Sequence, residues 1–162
     1  MAGIELAAAL LAAAAANPST PAFEFRGVTA GAATGFKKRG FCTDKNGEGA
    51  CLEKAVEDAG VPLIDLVTTR YEDKLTSIYA TFKTGHFQTL LEASKAKYGT
   101  PCDTRAEPWQ SRMGAKTQSA VVSWCFKTGV LELESVGARL DEGRFVYADQ
   151  WQPPKAAPKV VF

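Results

Sequence analysis

The chain has 162 residues, nearly half of them apolar and about a quarter charged, with 19 Lys and Arg against 18 Asp and Glu. That length and apolar content support one ordinary globular domain with a sizeable core of its own. A net charge of +1 supplies no basic face for phosphate contacts, the densest cluster being Lys37-Lys38-Arg39, so a nucleic-acid partner is not expected.

The chain opens with "MAGIELAAALLAAAAANPSTPAF", in which residues 6–16 are an Ala/Leu-only run ending on Ala14-Ala15-Ala16, small residues suited to a cleavage site. The run is too short to span a bilayer. Glu5 stands where a signal peptide carries Lys or Arg, and a retained Ala-rich helix is the alternative. Residues 1–16 are read as a signal-like segment of an exported protein, periplasmic or secreted. Residues 17–22 follow as a linker, and residues 23–149 as one domain.

"AFEFRGVTAG" (22–31) alternates Phe23 and Phe25 and runs into glycines, a short strand or extended entry. Residues 32–40 spell a short helix ended at Gly40. "CLEKAVEDAG" (51–60) places Leu52, Ala55, Val56 and Ala59 at helical spacing with Gly60 as a stop and Pro62 beyond, which predicts an amphipathic helix. Residues 63–83 hold two alternating β-rich runs broken at Glu72-Asp73-Lys74, a hairpin. "GHFQTLLEASKAKYG" (85–99) is the best helix, with Phe87, Leu90, Leu91, Ser94 and Tyr98 on one face, Lys95 and Lys97 near its negative end, and Gly99 stopping it before Pro101. A polar loop is expected at 102–118, then strands at 119–126, 130–136 and 143–149. The Pro-rich tail 150–162 reads as extended. The order α-α-β-β, then α-β-β-β, predicts an α+β fold, an antiparallel sheet with helices packed on one face in a two-half arrangement, with no residue-level repeat between the halves.

The four cysteines are Cys42, Cys51, Cys102 and Cys125, with no close-spaced pair, and His86 is the sole histidine. Structural zinc needs paired ligands, so no metal is expected, and nothing calls for a cofactor. An even count in an exported chain predicts two disulfides, and the local connectivity Cys42–Cys51 and Cys102–Cys125 is the one expected. Asn46-Gly47 would reverse the chain inside the first loop. A thiol enzyme using Cys102 or Cys125 with His86 as base is the rival. Asp103 beside Cys102 would raise that thiol's pKa, the wrong direction for a nucleophile.

The unit "FQTLLEASKAKYGTP…VVSWCFKTGVLELES…GRFVYAD" resembles the helix, (Y/L)G-x-P, loop and three-strand module of the BamE (SmpA/OmlA) lipoproteins and the β-lactamase-inhibitor proteins. "FRGVTAGAATGFKK" is similar to the entry of such modules, and "YEDKLTSIYATF" to their hairpin. The resemblance implies helical pairs on a small antiparallel sheet, an exported setting and action by binding other proteins. No lipobox cysteine follows the apolar run, so a lipid anchor is not implied. No functional residue carries over.

Other candidates are weaker. "DKNGEGACLEKA" (44–55) sets Asp44, Asn46, Glu48 and Gly49 in partial calcium-loop register, but Ala55 stands where a bidentate Glu is required. Glu132 and Glu134 fit the polar face of a strand. Trp109 and Met113, with Arg105 and Arg112 in the same loop, are the candidate partner-binding residues, because aromatic and Arg anchors dominate binding surfaces. The sequence therefore predicts a non-enzymatic, disulfide-braced module with a protein partner and no membrane span.

Overall fold

The computed structural model describes residues 21–32 and 39–149. A small hairpin, β1 (Glu24–Phe25) and β2 (Val28–Thr29), precedes an antiparallel meander of β3 (Phe41–Lys45), β4 (Glu48–Asp58), β5 (Val61–Tyr71) and β6 (Lys74–Lys83). A 3₁₀ turn at Thr84–His86 leads into helix α1 (Phe87–Tyr98). A second meander follows, of β7 (Asp103–Gln110), β8 (Lys116–Cys125), β9 (Gly129–Glu134) and β10 (Glu142–Asp149). The last strands of the two meanders, β6 and β10, pair antiparallel and fuse them into one eight-stranded sheet of order β3-β4-β5-β6-β10-β9-β8-β7.

The expected α+β fold with helices packed on a sheet is therefore incorrect: among the described residues the protein is mostly strand, with a single α-helix. Residues 51–60 are the decisive error, since 51–58 lie inside β4 and pair with β5 from Asp58–Val61 back to Cys51–Thr68. Their spacing imitates a helix because the alternation of faces breaks at Ala55, whose φ is +56°. Cys51 and Glu53 face inward before it and Val56 after it. Gly60 does not end a helix but closes a hairpin. Ala59 and Gly60 both have positive φ, as do Arg26-Gly27, Asn46-Gly47 and Glu72-Asp73, each pair linking two strands. Two-residue turns with both central φ positive match the right-handed twist of their strands. The predicted loop 102–118 is also incorrect: it holds β7, a turn at residues 111–115 and the start of β8. Its edge strand is solvated on both faces, so "DTRAEPWQ" carries no apolar alternation to read.

Other expectations match. The hairpin of residues 63–83 is β5–β6, and the three C-terminal strands are β8, β9 and β10. Helix α1 turns Leu90 and Ser94 fully inward, with Phe87, Leu91 and Tyr98 packed beside them, and its end is capped where the Gly99 N–H donates to the Lys95 carbonyl. The signal-like run 1–16, most of the linker 17–22, most of the expected helix 32–40 and the tail 150–162 lie outside the described residues.

The core fills one face of the sheet, the inner face, beneath α1 and the β1–β2 hairpin. Leu66, Ile78, Ala80, Phe82, Leu131, Leu133, Trp124, Phe145 and Tyr147 are all essentially inaccessible. Gly143 shows how tightly β10 is fitted: a Cβ there would lie 2.4 Å from the Phe82 ring and 2.8 Å from the Glu134 carbonyl. Phe23 is driven into the aromatic centre, stacked on Tyr147 at 4.0 Å and edge-on to Phe126 at 5.3 Å.

Where the N-terminal hairpin, β4 and α1 meet, Tyr98 donates to the Glu24 carbonyl at 3.1 Å, and Arg26 pairs with Glu53 at 3.1 Å. Burial raises the Asp58 carboxyl pKa here, against the opposing pull of Lys97 and Arg26. A raised folded-state pKa means the protonated form favours folding, so this contribution is complete below the usual carboxylate value and is lost as pH rises through the folded one. Asp58→Asn is expected to be more stable than wild type at neutral pH, the difference closing as pH falls through the raised folded pKa and gone below the usual carboxylate value of about 4. Urea denaturation across that range measures it, and a variant less stable at pH 7 would contradict the assignment.

Candidate partner-binding face

The helix and the β1–β2 hairpin both lie on the inner face, and no described element covers the outer one. Directly opposed residues form rows across that outer face, because cross-strand partners share a side of the sheet. One row reads Phe41, Leu52, Val67, Tyr79, Val146 across β3, β4, β5, β6 and β10. These five apolar side chains span four interstrand steps, about 19 Å. Phe41 at the sheet edge is 76% exposed, and the other four are half-buried.

The row on one side is small and uncharged: Thr43, Ala50, Thr69, Ser77, Ala148 and Val130. Within it the Thr69 and Ser77 hydroxyls hydrogen-bond to each other. The row on the other side is charged and internally paired. Lys54 lies 3.5 Å from Asp65, and Arg144 forks onto Glu134 at 2.6 to 3.0 Å, the Glu134 hydrogen bonds raising the Arg144 pKa. Farther along, Arg105 reaches Glu132 at 3.1 Å. The face thus combines an apolar strip with a border whose charges cancel locally.

The residues singled out from the sequence are strung along the β7–β8 hairpin rather than gathered into one patch. Arg105 is held at 2.7 Å by Glu107, 2.8 Å by Asp103 and 3.1 Å by Glu132, and these bonds, Glu107 foremost, keep its guanidinium more firmly protonated than usual. Trp109 is half-buried, its indole N–H donating to the Gly137 carbonyl at 2.8 Å, which fastens the hairpin to the β9–β10 connection. Met113, 97% exposed, and Arg112 stand at the tip.

Cys42 is bonded to Cys51 and Cys102 to Cys125, so each disulfide joins an outermost strand, or its first approach, to the neighbouring one. The Trp124 indole also donates to the Gly99 carbonyl at 2.9 Å, tying the helix exit to β8 a second time. Asp44 is engaged by the buried Arg70 at 2.8 Å rather than turned toward a cation, and no cluster of metal-ligating side chains occurs among the described residues. His86 sits half-buried at the 3₁₀ turn ahead of α1.

The apolar row was not legible as a site. Leu52 and Val56 looked like one helix face, and only the register sets Leu52 beside Phe41 and Val67. No protein-family model, curated protein or solved structure matches this chain. Its two disulfides are of the kind that oxidising compartments sustain. No helix among the described residues is long and apolar enough to cross a membrane.

Proposed function

We propose that this protein is an exported, non-enzymatic binding module that holds a protein partner against the outer face of its sheet. The observation that carries the reading is the uncovered strip Phe41–Leu52–Val67–Tyr79–Val146. Contiguous apolar surface of this kind, rimmed by polar groups, marks interaction sites. Tyr79 supplies an amphipathic anchor. The border of self-paired charges selects a partner without a strong field of its own. The thiol-enzyme alternative needs a free sulfur, whereas both Cys102 and Cys125 are spent on each other.

A photo-reactive phenylalanine analogue at position 41 tests this directly in periplasmic extract. The expected result is one cross-linked protein, lost in Tyr79→Arg and kept in Gln88→Ala on the exposed side of α1, with all variants equally folded by circular dichroism. Recovery of the same protein with Tyr79→Arg, or of none with the photo-reactive chain otherwise unchanged, would sink the reading.

A further inference from the structure

Strand β7 closes one side of the eight-stranded sheet, and all of its residues are exposed except the half-buried Trp109. The direction of its backbone groups follows from the hairpin. The Ser111 N–H donates to the Ala115 carbonyl, and the β7–β8 register sets these two residues opposite each other. Asp103, Arg105, Glu107 and Trp109 therefore turn their backbone groups toward β8, and Thr104, Ala106, Pro108 and Gln110 turn theirs outward. Pro108 thus stands where no ladder bond requires an N–H. Thr104 and Ala106 each present both a donor and an acceptor along the edge. On the outer face Asp103, Glu107 and Glu132 hold Arg105 at 2.7 to 3.1 Å, three carboxylates about one guanidinium, which leaves two negative charges in excess. Arg112 and Lys116 lie toward the hairpin tip, away from Asp103. On the inner face the same stretch carries only Thr104, Ala106 and Pro108, without charge.

We infer that β7 is extended by one further antiparallel strand, a segment of a partner protein with Lys or Arg four residues apart and small or apolar residues flanking each. Strand addition takes its affinity from main-chain bonds, here at Thr104 and Ala106, and its specificity from side chains at alternate positions. Two cations opposite Asp103 and Glu107 meet the excess charge directly, because cross-strand pairs of opposite sign stabilise and like-signed ones destabilise. A neutral residue falls opposite Arg105, and the residues between lie beside Thr104 and Ala106. The charges and Pro108 close this edge to apolar strands in general, so they select which strand is admitted. A second copy of β7 does not match, since pairing two such edges would bring together two acidic excesses. The apolar strip ends at Val146 on β10, three strands away, so this edge is a separate surface.

Isothermal titration of the full, oxidised chain with the capped peptide Val-Lys-Val-Thr-Val-Lys-Val tests the inference. Saturable one-to-one binding is expected, about tenfold tighter than for the same peptide with Glu in place of Lys or for the permuted Val-Val-Lys-Lys-Val-Thr-Val. N-methylation of the third and fifth residues, whose N–H groups face β7, should abolish binding, whereas N-methylation of the central threonine should be tolerated. Ala106→Pro removes an outward N–H and spares the β8 ladder, so it should weaken the peptide about tenfold at a nearly unchanged melting temperature. The methylated peptides put the same question to the wild-type chain. Asp103→Asn with Glu107→Gln should remove the preference for lysine over glutamate. No saturable binding of the lysine peptide, equal affinity for the permuted one, or full binding after methylation of the facing positions overturns the inference. Self-association of the chain alone that Ala106→Pro abolishes, measured by sedimentation, would assign the edge to a second copy and overturns it equally.

Discussion

Phe23→Ala is expected to remove about 4 kcal/mol of stability, the loss typical of a fully buried aromatic cut back to a methyl group. Phe23 is 0% exposed and lies among Tyr147, Phe126, Tyr98 and Phe25. Truncation would leave a ring-sized void among side chains that are themselves fixed, with little room to collapse. The backbone at this position is committed as well: the Phe23 N–H donates to the Thr128 hydroxyl at 3.2 Å, and its carbonyl accepts from Ala30 at 2.8 Å. The Tyr147 hydroxyl shares that same Thr128 oxygen at 2.8 Å, so the N-terminal hairpin, the β8–β9 turn and β10 are joined at one point. Urea denaturation with an unchanged m-value measures the effect. A loss below about 1 kcal/mol would mean that the hairpin contributes little to the folded state.

Removing the second disulfide should cost nearly as much. Replacing Cys102 and Cys125 together by serine is expected to lower stability by about 3 kcal/mol, from the chain entropy restored to the unfolded state when a loop of 23 residues is opened. The matching change at Cys42 and Cys51 opens a loop of only nine and should cost about 2.5 kcal/mol. The order of the two losses is the informative part. At the Cys102 site the Cys102 N–H still donates to the Ser123 carbonyl and the Trp124 indole to Gly99, so the native register of β7 survives and the difference lies in the denatured chain. Denaturation of both double variants, side by side, checks it. A larger loss at Cys42 and Cys51 would show that the short edge strand β3 depends on its crosslink for more than loop entropy.

Both disulfides address one hazard of this architecture. An open antiparallel sheet has two edges that can recruit foreign strands. Here β3 and β7 are each fastened inward by sulfur, and β7 also carries Pro108, Asp103, Arg105 and Glu107, residues that blunt an edge.

Much of this protein could be read directly from its residues. Alternation in 63–83 and 119–149 dictates strands, the Phe87–Tyr98 stripe with its Gly99-Thr100-Pro101 stop dictates a helix, and the cysteine spacing admits the pairing found. These signals are local, set by the period of side-chain exposure along one segment and by turn chemistry. The class of the fold was decided elsewhere. Residues 51–60 have a helical spacing that seven paired positions with β5 override, and 103–110 have no periodicity because an edge strand wetted on both faces needs none. Strand pairing is a non-local gain, earned only when a distant segment arrives in register, so no window of sequence contains it. The same holds for the candidate site. Phe41, Leu52, Val67, Tyr79 and Val146 are spread over more than a hundred residues and become one surface only through the register of five strands.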